Sequence, residues 1–114
     1  MTEVDAALAA FASEWVAHQD ITPRIAYERT LRLLRFYLDS AGRPIDDLTA
    51  ADLEAFVAWH AAHGLADDPD GSRKVALHVA RIGADLATRL GRPELAIPRD
   101  RLRALADQAN ITSK

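Results

Sequence analysis

Apolar residues recur along this chain at helical spacing rather than in strand-like alternation. Val4, Leu8, Phe11 and Trp15 stand at i, i+4, i+7 and i+11, one face of a helix expected from about Glu3 to His18, with Thr2 as its cap and Asp5 three residues on. Thr22-Pro23 predicts the next start, Thr22 as N-cap and Pro23 at the first helical position. That second helix is expected to reach about Ala41 on Tyr27, Leu31, Leu34 and Leu38, with Gly42 as its left-handed cap and Pro44 preventing resumption. Ile25, Leu33 and Phe36 fall on the opposite side of the wheel. A helix apolar on two faces is expected between neighbours, so the second helix is read as the central one. The alternative is that Leu33 and Phe36 meet another chain.

Thr49-Ala-Ala-Asp52 reads as a capping box for a third helix to about His63, with Leu53, Phe56, Val57 and His60 on one face and Gly64 ending it. Ala66 to Gly71 reads as a polar loop. Ser72 is expected to cap a fourth helix to about Leu90, striped by Val75, Val79, Ile82, Leu86 and Leu90, with Gly91 as its C-cap. Pro93 and Pro98 bound a linker. A last, shorter helix is expected from Arg99 to Gln108 on Leu102 and Leu105, with frayed final residues. The predicted fold is an all-α compact bundle of four main helices, residues 1–92, followed by a linker and a short C-terminal helix or tail, residues 93–114.

Composition agrees with that reading. The chain has 114 residues, enough for one modest core, and its 49% hydrophobic content is dominated by the helix formers alanine and leucine. With no cysteine, disulfides, thiolate catalysis and Cys-based zinc sites are excluded, and a reducing cytoplasmic setting is expected. The acidic N-terminus does not read as a secretory signal. No apolar run approaches the roughly 20 residues that span a bilayer.

Charge changes the picture more. The net charge is -3, but it is segregated along the chain: -4 over residues 1–22, +3 over 23–43, -7 over 44–72 and +4 over 73–92. Arg24, Arg29 and Arg32 on the second helix, with Arg73, Lys74 and Arg81 on the fourth, form a candidate basic face for nucleic-acid phosphates. Lys74, His78 and Arg81 share one ridge, and the helix N-terminus at Thr22 adds free N–H groups. The same residues also suit a solvated surface, through i,i+4 pairs Glu28–Arg32, Arg35–Asp39 and Arg81–Asp85. The acidic block must face away from DNA, or receive Arg24 and Arg32 of another copy at Asp67 and Asp68.

Other chemistry is sparse. His60 and His63 with Asp67 have a spacing compatible with a metal, but His60 falls on the apolar stripe, where a core histidine is expected, and no metal is assigned. Asp68-Pro69-Asp70-Gly71 fails as a calcium loop, because its first and twelfth ligand positions would be Ala66 and Leu77. Trp59, Phe36 and Leu33 are a candidate apolar patch for a partner, or else pack inside the bundle. No nucleophile, base and orienter set is visible and no Gly-rich phosphate loop occurs, so no enzyme activity, cofactor or small-molecule substrate is expected.

Four segments together resemble the N-terminal core-binding domain of tyrosine recombinases of the phage-integrase type, a small helical SAM-like domain. Ile21-Thr22-Pro23-Arg24 is similar to the family's Leu-Ser-Pro-Arg opening of its second helix. Tyr27-x3-Leu31-x2-Leu34-x3-Leu38 matches its core spacing. Ile45 to Phe56 is similar to its link and third-helix opening. Gly64-Leu65, a polar loop, Ser72-Arg73 and a long helix resemble its last segment. The resemblance covers roughly residues 5–92. The stretch from Pro23 to Tyr27 is about two residues shorter than the family pattern, and the acidic loop at 67–71 is longer. The resemblance implies a DNA-binding module that contacts duplex backbone through Thr22, Arg24, Arg29, Arg32, Arg73, Lys74, His78 and Arg81. It implies no strand cleavage, because the family's tyrosine nucleophile and Arg/His/Arg cluster come from a second, larger domain; His78-Val-Ala-Arg81 has no such companions here. Its partners would be duplex DNA and a second copy or a recombinase subunit, with no membrane. The alternative is a non-catalytic protein-interaction domain, self- or hetero-associating, which the overall acidity favours.

Overall fold

The helix boundaries follow from how each end satisfies its orphan backbone groups. The computed structural model describes residues 2–63 and 69–112, and among them helices α1 (Glu3–Glu14), α2 (Ile21–Ser40), α3 (Ala50–Ala62), α4 (Pro69–Leu90) and α5 (Arg99–Thr112) alternate with short 3₁₀ turns and no strand. Thr2 caps α1 as expected, its hydroxyl oxygen accepting from the Asp5 N–H at 3.2 Å. The helix stops at Glu14, however, and the chain tightens into a 3₁₀ turn over Val16–His18 that buries Val16.

Thr22 is not the cap of α2. The helix starts at Ile21 with Asp20 as N-cap, and the Asp20 carbonyl accepts from the Arg24 N–H at 2.9 Å. Pro23 is tolerated in this third position because the first four N–H groups have no partner within the helix anyway. At the other end Gly42, with φ of +69°, lets the Arg43 N–H reach Leu38 O and the Gly42 N–H reach Asp39 O, a Schellman closure. Gly91 closes α4 in the same left-handed conformation, with Arg92 N–H bonded to Ala87 O.

The capping box of α3 is formed in both directions, Thr49 Oγ1 to Asp52 N at 3.2 Å and Asp52 Oδ2 to Thr49 N at 3.0 Å. Arg43 grips the same carboxylate with Nε and Nη2, each at 3.1 Å. Burial pushes the Asp52 pKa up, but these Arg43 and Thr49 hydrogen bonds outweigh it and hold it below its ordinary value. Ser72 does not cap α4: the helix begins a turn earlier, and Ser72 is buried within it. The expected cap Gly64 and residues 66–68 of the expected loop lie outside the described residues, while 69–71 of that loop form the first turn of α4.

The central helix is α4, not α2. It touches α1, α2, α3 and α5, burying Val79, Ile82 and Leu86 among them. The 3₁₀ turn at Pro93–Leu95 lies so close to α4 that a Cβ at Gly83 would collide with the Leu95 carbonyl oxygen. The chain then returns as α5, which is longer than expected, exceeds α1 and α3 in length, and packs on both α3 and α4 through Leu102, Ala106 and Ala109. Residues 93–112 thereby complete the same core as the preceding helices. By contrast α2 lies along the outside of the bundle. Tyr27, Thr30, Leu34 and Leu38 point inward, while Ile21, Ile25 and Phe36 are 62%, 56% and 59% exposed.

Candidate nucleic-acid interface

Six arginines are committed to holding the fold together. Arg35 pairs with Asp5 at 2.6 Å, joining α2 to α1, and Arg43 with Asp52. Arg89 bridges Glu14 and Asp85, Arg92 reaches Glu94 and the Leu48 carbonyl, and Arg101 meets Glu54 at 2.7 Å. Arg73 is bonded through Nε to Asp107 at 2.9 Å and lies 3.7 Å from Asp70, which ties α4 to α5. Of the i,i+4 pairs expected to neutralise the basic helices, none forms: Arg35 takes Asp5 instead of Asp39, Asp85 takes Arg89 instead of Arg81, and no ion pair joins Glu28 to Arg32.

What is left over defines the candidate surface. Lys74 and Arg81 are exposed two turns apart on α4, about 10 Å along its axis at 1.5 Å per residue. Arg99 and Arg103 are exposed one turn apart at the start of α5. The antiparallel packing that joins Arg73 to Asp107 brings them beside Lys74 and Leu77, in an open groove also lined by Asp70 and Arg73. Among the described residues no carboxylate lies within ion-pair distance of Lys74, Arg81, Arg99 or Arg103. Arg99 and Arg103 were not among the sequence candidates. Their i,i+4 spacing on the flank of the Leu102 and Ala106 stripe is a visible signal of a basic helix edge, but their nearness to Lys74 is a tertiary fact.

His78 is not a member of this surface. Four residues on from Lys74, a full turn and about 40° more carry it under α2, where it is 8% exposed. Its Nδ1 lies 2.9 Å from Thr30 Oγ1, and its ring packs tilted against that of Tyr27, with the centroids 3.9 Å apart. Burial, with the charge of Lys74 adding to it, lowers its pKa to about 4, so the ring is neutral near pH 7 and offers phosphate no charge.

Beside it, Arg81 lays its guanidinium over Trp15, 4.7 Å from the ring centroid. Burial pushes the Tyr27 hydroxyl up, and Arg81 opposes that through its charge and a hydrogen bond. Arg24 lies one turn before Tyr27 on α2 and is half-buried. Thr22 is exposed in the first turn without capping it. Arg29 and Arg32 lie on the outward side of α2 among Ile21, Ile25 and Phe36. The eight sequence candidates therefore divide between two surfaces, with His78 buried and Arg73 paired.

The other candidates resolve differently. His60 is buried in the core as its place on the apolar stripe predicts, and its Nδ1 has no hydrogen-bond partner among the described residues. Burial, then the charge of Arg29, lowers its pKa. His63 is exposed, with Nδ1 2.9 Å from the Trp59 carbonyl oxygen. Among the described residues no three metal-ligating side chains gather; Asp67 and Asp68, invoked for the metal, the calcium-like loop and the self-association contact, lie outside them. Trp59 is half-buried in a cluster with Tyr37 and Phe56, and Phe36 leans on its ring from outside at 6.3 Å.

No helix among the described residues is long and apolar enough to cross a membrane. Compared with protein-family models, curated proteins and solved structures, the chain finds no match in any of the three.

Proposed function

We propose that this domain binds the phosphate backbone of duplex DNA, without cleaving it, through Lys74, Arg99 and Arg103 of the α4–α5 groove, continued by Arg81 on α4 and Arg24 on α2. The observation that carries the reading is the division of the cations. Six arginines are paired with carboxylates, whereas Lys74, Arg81, Arg99 and Arg103 have none within ion-pair distance among the described residues. Cations with no carboxylate partner release counterions when they meet phosphate, which is the main source of sequence-independent affinity. The choice of duplex DNA over other polyanions is supported by the resemblance of residues 5–92 to the recombinase core-binding domain.

The test is fluorescence anisotropy of the domain with a random-sequence duplex across a salt series. With these five cations engaged, the slope of log K against log salt is expected near -4 to -5, at about -0.9 per phosphate contact. Arg103→Ala or Lys74→Ala should each reduce that slope by about one. Arg101→Ala, which removes an arginine already held by Glu54, should leave it unchanged. No binding at about 50 mM salt, where these electrostatics are still strong, would sink the reading.

A further inference from the structure

We propose that the outward face of α2 pairs two copies of this chain, antiparallel about a two-fold axis that passes between Glu28 and Arg29. The face carries three of the five large apolar side chains that the described residues leave exposed, Ile21, Ile25 and Phe36. They form one stripe: steps of 100° per residue place positions 21, 25, 28, 29, 32 and 36 within about 100° of arc, opposite the buried Tyr27, Thr30, Leu34 and Leu38. The stripe is about 22 Å long. Single exposed apolar residues need no explanation, but a row of them along an otherwise charged helix marks a contact surface.

The charges on this stripe select the occupant. Read from Ile21 to Phe36, the stripe is apolar at both ends, with Glu28 and then Arg29 and Arg32 between. Turned end for end, the outermost apolar residues meet each other and acid meets base at the centre. Ile21 of one copy lies against Phe36 of the other, Ile25 against the methylene stem of Arg32, and Glu28 between Arg29 and Arg32. This is the self-complementarity that a two-fold interface requires. A parallel pairing would set Arg32 against Arg32 and Glu28 against Glu28. Within one chain Glu28 and Arg32 stand at the spacing of a helix ion pair, yet none joins them, neither is paired with another described residue, and both are exposed. In the dimer each gains an opposite charge. Phe36 is already steadied by Trp59, so its ring is presented rather than free to collapse. The groove on α4 and α5 belongs to other helices, and the pairing does not depend on what that groove binds.

Sedimentation velocity from about 10 to 500 μM, the range in which a modest interface titrates, tests the pairing. The wild type is expected to move from monomer to dimer. Phe36→Asp should weaken dimerisation about tenfold or more, with unchanged helical circular dichroism, since Phe36 is 59% exposed. Glu28→Arg and the double variant Arg29→Glu/Arg32→Glu should each be monomeric alone and form a heterodimer when mixed. The chain has no cysteine, so single cysteines report the register directly. Ile21→Cys mixed with Phe36→Cys should give a mixed disulfide under mild oxidation, and neither should cross-link with itself. A monomer at the highest concentration, a dimer indifferent to Phe36→Asp, or a Phe36→Cys chain bridged to its own copy would each overturn the proposal, whatever the DNA titration gives.

Discussion

His78 shows how one residue's role depends on a single neighbouring helix. At the surface it would be a titrating partner for phosphate; under α2, against Tyr27 and Thr30, it is held neutral. Its folded pKa of about 4 lies below the ordinary 6.5, so between these values the unfolded chain takes up a proton that the folded chain refuses. Stability is therefore expected to fall as pH drops from 6.5 towards 4, by up to about 3 kcal/mol at 1.36 kcal/mol per pKa unit. It should stay level above pH 6.5. His60, also lowered by burial, adds in the same direction. Asp5 and Asp52, held below 3.8, and Glu94, held below 4.5, contribute only towards the lower end of this range and beyond it, so the upper part of the window belongs to the histidines. Urea unfolding at a series of pH values checks this, and His78→Phe should flatten the slope. Gly83 gives a second test at this scale. Alanine normally favours a helix over glycine by about 1 kcal/mol. Here the added methyl meets the backbone oxygen of Leu95, which no rotamer change can relieve. Gly83→Ala is expected to destabilise by about 1–2 kcal/mol, read as a fall in the urea midpoint.

At the scale of elements, the ends were more legible than the middles. Thr2, Thr49 with Asp52, Gly42 and Gly91 cap as their residue types dictate, because a cap needs only atoms within four residues. Thr22 and Ser72 misled for a local reason: either can cap, but each is also tolerated inside a helix whose first turn extends further back. The fifth helix shows the cost of judging an element by its own pattern. Leu102 and Leu105 look modest alone, yet Leu102 is fully buried where α5 closes over α3 and α4. Leu102→Ala is expected to cost about 2–5 kcal/mol, and removal of residues 99–114 should abolish the cooperative thermal transition followed by circular dichroism. A tail without a structural part would leave that transition in place.

For the whole molecule, the surface divides into a basic groove on α4 and α5 and an apolar–charged stripe on α2, and the salt titration and the sedimentation series address one each. A protein whose net charge is -3 can carry a cation-rich surface because its acids are spent locally: Asp5, Glu14, Asp52, Glu54, Asp85 and Asp107 are each bound to a structural arginine. The amino-acid sequence by itself determined the all-helical class, the core face of each helix and most helix ends, since periodicity and capping act over a turn or two. It also determined which cations exist. Only the tertiary structure decided which helix is central, which arginines are consumed by acids distant in sequence, that His78 is buried, and that Arg99 and Arg103 join Lys74. Those outcomes depend on how α2, α4 and α5 cross, and a crossing is set by packing across the whole core rather than by any one segment.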